Sequence, residues 1–135
     1  MTESEVKIGD ALPTLRAGPI SRSTLALYAG ASGDLNPIHI DSDFARMAGV
    51  GDVFAHGMLN MAYLGNLLTK WRPQSQLRKY RVRFKNIVQV YDELTCSGAV
   101  RAIERDGTGV LATIEIAATN QNGIVALEGE AVVAL

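Results

Sequence analysis

An α+β fold, a curved antiparallel sheet wrapped around one long helix, is predicted by three features of this 135-residue chain. The segment HGMLNMAYLGNLLTKW, His56 to Trp71, is apolar around most of its circumference, as a helix enclosed by other structure must be. From Arg78 onward the apolar period switches to two, the period of strands. Asp106-Gly107 and Asn122-Gly123 then divide the strand region at hairpin spacing. A helix followed by an antiparallel meander packs most economically with the helix on one sheet face and water on the other. Such a single layer leaves edges and apolar surface uncovered, so a dimer is expected.

The elements follow in order. Lys7 to Pro13 reads as an opening loop with a turn at Gly9-Asp10. Ser21 suits the N-cap of a helix through Leu25, Leu27 and Tyr28, ended by Gly33. Asp41 can cap a second short helix, SDFARMA, stopped by Gly49. The loop 49–55 carries two glycines, could gate a tunnel, and leads into the long helix, which halts before Pro73. In RKYRVRFKN, alternation places Tyr80, Val82 and Phe84 on one face and Lys79, Arg81, Arg83 and Lys85 on the other. ELTCSGAVRAIE, GVLATIEIAAT and GIVALEGEAVVAL follow as long strands.

Length and composition fit one soluble domain over residues 1–135, with 47% hydrophobic and 20% charged residues. Thirteen basic against fourteen acidic residues argue against wholesale nucleic-acid binding. The single cysteine, Cys96, excludes an intramolecular disulfide and, in an alternating apolar segment, reads as a small buried hydrophobe. The polar start MTESEVKIGD has no signal-peptide core, and no segment reaches the apolar length of a membrane span. A cytoplasmic protein is expected.

The chemistry concentrates in two segments. In SGDLNPIHID, Pro37 biases Asn36 away from the α region, so the chain must turn. A turn can bring Asp34 and His39 to one small volume, where a carboxylate and an imidazole sharing a water form a general acid–base pair. Taken alone, the two residues also fit an Asx-turn aspartate and a packed histidine. Two histidines and one buried cysteine offer too few ligands for an ordinary zinc site, so no metal is expected. In AHGML, Gly57 lies in the first helical turn, where free N–H groups can polarise a carbonyl; a glycine there equally permits tight loop packing. His56 either lines the entrance or serves as a structural cap, and Met58 of the same turn can touch substrate. The row Lys79, Arg81, Arg83 and Lys85 is either a solvated sheet face or a landing site for the phosphates of coenzyme A or phosphopantetheine.

Tyr28 with SGDLNPIHID, followed after a short helix by AHGML, closely resembles the motif of MaoC-like proteins, the (R)-specific enoyl-CoA hydratases and (3R)-hydroxyacyl-ACP dehydratases. The resemblance extends from KIGDALP to EGEAVVAL. It implies a hotdog fold assembled as a dimer, with Asp34 and His39 as the catalytic dyad, the Gly57 N–H as oxyanion donor and Asn36 fixing the turn. It also implies a hydro-lyase interconverting trans-2-enoyl and (3R)-3-hydroxyacyl thioesters, with coenzyme A or phosphopantetheine as part of the substrate and no further cofactor. Gly65 stands where some relatives carry a serine, and reads as space for a longer acyl chain. SGDLNPIH with AHGMLNM further resembles the catalytic subunit of mycobacterial-type fatty-acid-synthase-II dehydratases, so a homodimer and a heterodimer with a related hotdog subunit are both open. A hotdog thioesterase is the rival enzyme, and a non-catalytic acyl-binding subunit the rival outside catalysis.

Overall fold

The computed structural model describes residues 6–135. Residues 1–5, part of the polar start considered above, lie outside the described residues. Strand β1 (Leu15–Ala17) precedes helix α1 (Arg22–Ser32), a 3-10 turn at Pro37–His39, and helices α2 (Ser42–Met47) and α3 (Gly57–Trp71). Strands β2 (Leu77–Phe84), β3 (Leu94–Asp106), β4 (Gly109–Thr119) and β5 (Val125–Ala134) complete the chain. The caps expected from sequence form. The Thr24 N–H donates to Ser21 Oγ at 3.1 Å, the Asp43 N–H to Asp41 Oδ1 at 2.9 Å, and Gly33 closes α1 in the left-handed region at φ 81°.

The strands form one antiparallel sheet in the order β1-β3-β4-β5-β2. Along β4, Val110, Ala112, Ile114, Ile116 and Ala118 are buried, while Glu115 faces water. That buried face meets Leu59, Leu64, Leu67 and Leu68 of α3 in one core. β1 carried no sequence signal, because a three-residue strand is too short to show a period. Cys96 is fully buried and burial pushes its thiol up to about 11, which suits packing and not nucleophilic attack.

β2 runs alongside α3 in the opposite sense. Phe84 packs on Gly57 and Tyr80 on Gly65. Eight helical residues rise about 12 Å and four strand residues about 13 Å, so the two spacings match. The Tyr80 hydroxyl donates to the Met61 carbonyl at 2.5 Å, fixing the ring across the helix. This corrects the expectation that Gly65 leaves room for acyl chain: a Cβ there would lie 3.2 Å from Tyr80 Cε2, so the ring already fills the hollow.

One further expectation needs correction: α3 is not enclosed all round, and Met58 is 59% exposed, since one sheet covers only one side of the helix. Phe84 shares the face of Tyr80 and Val82, as the alternation predicts, and is 53% exposed at the end of β2.

Candidate active site

The Asp34–His39 segment is wound by its own short polar side chains. Asp34 donates its N–H to Ser32 Oγ at 3.1 Å, Asn36 its N–H to Asp34 Oδ1 at 3.3 Å, and Ile38 its N–H to Asn36 Oδ1 at 3.1 Å. Consecutive Asx turns and Pro37 at the first 3-10 position leave no freedom for a helix. The chain folds back, and His39 Nε2 comes to 4.0 Å from Asp34 Oδ2. Asp34 is thus both an Asx-turn residue and a partner of His39.

The His39 tautomer is set by its other nitrogen. Nδ1–H donates to the Phe54 carbonyl at 2.7 Å, which turns the Nε2 lone pair towards Asp34. His39 is buried, whereas the Asp34 side chain is half exposed at 52%. Two acceptors 4.0 Å apart do not bond directly. Two hydrogen bonds of about 2.8 Å meeting near a right angle span that separation, so one water can donate to both.

His56 lies directly behind. Its ring stacks on His39 at 3.9 Å and 25°, Tyr28 meets it edge-on at 4.7 Å, and its Nε2–H donates to the Asp34 carbonyl at 3.2 Å. Its Nδ1 is buried without a partner. Burial first, and then the repulsion that a second protonated imidazole stacked on His39 would meet, holds the His56 imidazole below its ordinary value near 6.5, against the opposing pull of Asp34. The unfolded chain therefore binds more protons than the folded one below that pH, and stability falls as pH falls. Tm is expected to drop between pH 7 and 5, and His56→Gln to flatten that slope. The carboxylates held low in the fold, Asp52 and Glu130 among them, titrate at more acid pH and leave the window clear.

Ligand atoms of Asp34, His39 and His56 lie within 4.8 Å of one another, a grouping the sequence did not reveal and one that a divalent ion could occupy. His56 Nε2 is engaged by the Asp34 carbonyl, a bond that an ion ligated through that nitrogen would displace.

Gly57 opens α3, and no side chain caps the helix start. The first-turn N–H groups and the positive end of the helix dipole therefore face outward. Beside them is a cavity of about 280 Å³ lined by Phe54, Gly57, Asn60, Phe84, Lys85 and Val88, among others. The glycine also has a packing role, since a Cβ would lie 3.2 Å from Phe84 Cε1.

The basic row divides between two places. Lys85 lines this cavity. Arg81 and Arg83 line a separate groove of about 670 Å³ on the outer sheet face. Two of the four cations are paired, Arg81 with Glu130 at 2.6 Å and Lys85 with Glu128 at 3.7 Å. Met58 projects beside Gly57, exposed.

One further cluster was not visible in the sequence. Arg22 forks onto Asp52 at 3.0 and 2.6 Å and reaches Ser42 Oγ at 2.8 Å, while Asp52 Oδ1 accepts the Val53 N–H at 2.7 Å. Each charge strengthens the other: the Asp52 bond raises the Arg22 pKa, and the Arg22 bond holds Asp52 well below the usual carboxylate range. The knot ties α1 and α2 to the loop that delivers the Phe54 carbonyl to His39.

Residues 3–121 match the MaoC like domain family. The chain belongs to that family. Among MaoC-like and related proteins, it is 34% identical over 113 residues to the (R)-specific enoyl-CoA hydratase of Aeromonas caviae, covering 82% of this chain and 83% of the relative. It is 30% identical over 129 residues to the mitochondrial 3-hydroxyacyl-[acyl-carrier-protein] dehydratase of Arabidopsis thaliana, covering 93% and 75%. It also matches the fatty acid synthase subunit beta of Saccharomyces cerevisiae at 30% identity, spanning only 6% of that much longer protein. A solved structure, the (R)-hydratase from A. caviae involved in PHA biosynthesis, superposes with a TM-score of 0.86 at 30% identity over 97% of this chain and 98% of that one. The MaoC-like fold is therefore a single hotdog, its sheet curved around α3.

In this MaoC-like site the Arg22–Asp52 knot positions His39 only through backbone. Arg22→Ala is expected to speed amide exchange at Val53 to Ala55 and to lower turnover about ten-fold. Arg22→Lys, which cannot form the fork, should recover only part of it.

Proposed function

We propose that this chain hydrates trans-2-enoyl thioesters of coenzyme A or acyl carrier protein to (3R)-3-hydroxyacyl thioesters and catalyses the reverse dehydration. The observation that carries the reading is His39 Nε2 facing Asp34 Oδ2 at 4.0 Å while Nδ1 is held by the Phe54 carbonyl. The Gly57 N–H donates to the thioester carbonyl and stabilises the enolate that develops. Asp34 and His39 hold one water. Its hydroxyl adds to C3, the pair takes up the proton released, and a proton returns to C2, so the pair ends in its starting charge. Asn36 holds the turn, and Lys85, exchanging Glu128 for the ligand, meets a pantetheine phosphate; its position in the lining of the cavity beside Gly57 supports that role. The thioester itself activates the alkene, so neither a metal nor a redox group enters the reaction.

The active form is a dimer. β2 is an eight-residue strand at the sheet edge, with exposed Phe84 and Ile87 at and just beyond its end, and a second hotdog, identical or related, would cover them. Its setting is the cytoplasm; no helix among the described residues is long and apolar enough to cross a membrane.

Crotonyl-CoA incubated with chelator-treated protein should give (3R)-3-hydroxybutyryl-CoA at the untreated rate. The (3S) product, or a rate abolished by chelation and restored by metal, would sink this reading.

A further inference from the structure

Asn60 is the one polar side chain buried on the sheet-facing side of α3. It is 4% exposed, its Oδ1 is buried with no hydrogen-bond donor, and it lines the cavity beside Gly57. An unpartnered buried acceptor is costly enough that such groups normally have a partner when the protein is at work. Helical side chains lean towards the N-terminus. Asn60, one turn after Gly57, therefore reaches back over the first turn, where the thioester carbonyl is held.

A thioester carbonyl has two substituents. On the reading proposed above, on which this inference rests, the acyl side must carry C3 to Asp34 and His39. The sulfur then leaves on the other side. The cavity shared by Gly57 and Asn60 has neither Asp34 nor His39 in its lining, and its rim carries exposed Lys85 and Asn86. On that reading this cavity takes the sulfur side of the thioester. The acyl group of a simple enoyl thioester brings no donor, whereas the cysteamine unit presents an amide N–H two carbons beyond the sulfur. Gly57 to Asn60 spans about 4.5 Å of helix rise, comparable to the reach from a thioester carbon to that nitrogen.

We propose that Asn60 reads the pantetheine arm: its amide turns about χ2 to bring the buried side-chain carbonyl to the cavity, where it accepts the cysteamine N–H while the Gly57 N–H holds the thioester oxygen. The apolar lining from Phe54, Phe84 and Val88 strengthens that bond by excluding water. Asn60 thus selects thioesters of pantetheine over thioesters of simple thiols, whatever acyl group they carry.

The test pairs a substrate change with a side-chain change. Hydration is followed for crotonyl-S-CH2CH2-NH-acetyl and for the oxygen isostere crotonyl-S-CH2CH2-O-acetyl, which lacks only the donor. Wild-type protein should favour the amide about ten-fold in kcat/KM. Asn60→Leu should bring the ratio near one, chiefly by slowing the amide, with a Tm equal to or above wild type because an unpaired polar group has been removed. A structural role would lower Tm and slow both substrates alike. Equal rates for the two thioesters in wild type, or a preference surviving in Asn60→Leu, would overturn the proposal. Should Asn60→Leu fail to fold, the wild-type ratio decides alone. Silence with both thioesters and with crotonyl-CoA would remove the hydratase reading, and this inference with it.

Discussion

Asp34→Asn is expected to lower kcat for enoyl-thioester hydration about a thousand-fold while the protein folds normally. The substitution keeps an oxygen to accept the Asn36 N–H, so the Asx turn survives. It loses the charge facing His39 Nε2 at 4.0 Å and one of the two acceptors that hold the water. His39→Ala should cost as much in turnover and more in stability. It leaves the Phe54 carbonyl without its 2.7 Å donor and takes away the ring stacked on His56. Steady-state kinetics beside a thermal melt separates the two effects. Near-normal turnover in either variant removes the dyad from the mechanism.

Gly129→Ala is expected to give the largest stability loss of any conservative change in the sheet. Gly129 pairs with Val82 across the β2–β5 ladder, and an added Cβ would stand 1.9 Å from the Arg81 carbonyl oxygen and 2.7 Å from Val82 Cα. Both obstacles are backbone, so no rotamer change relieves them and β2 must move. A cost of about 3 kcal/mol, or roughly 10 °C in Tm, is expected. β2 carries Phe84 and Lys85 to the Gly57 cavity, so activity should also fall at temperatures where the protein remains folded. Gly107→Ala, with open space at its Cβ position, is the control and should be neutral. A Gly129→Ala melt like that of wild type would show that β2 accommodates the methyl.

What could be read in the sequence was local. The caps Ser21 and Asp41, the stops Gly33 and Gly49, the long helix and the alternating strands each rest on neighbours in the chain, and each forms. The turn at Asn36-Pro37 was legible for the same reason, because proline and Asx chemistry act over two or three residues. What could not be read depends on contacts distant in sequence. The Phe54 carbonyl that orients His39 is a backbone group and has no residue signature. The Arg22–Asp52 fork joins positions thirty residues apart. Gly65 looked like empty space because nothing in its own segment announces the Tyr80 ring that fills it. Arg81 read as part of a solvated or phosphate-binding row for want of the cross-strand register that places Glu130 opposite it.

The central claim is that Asp34 and His39 add water at C3 of an enoyl thioester bound at Gly57. It is tested most directly by following crotonyl-CoA with wild-type protein, recording enoyl-thioester absorbance and free thiol in the same sample. Loss of absorbance to an equilibrium with no thiol released is the predicted result. Thiol appearing in step with substrate loss would contradict it, because the water would then have been aimed at the thioester carbon and not at C3.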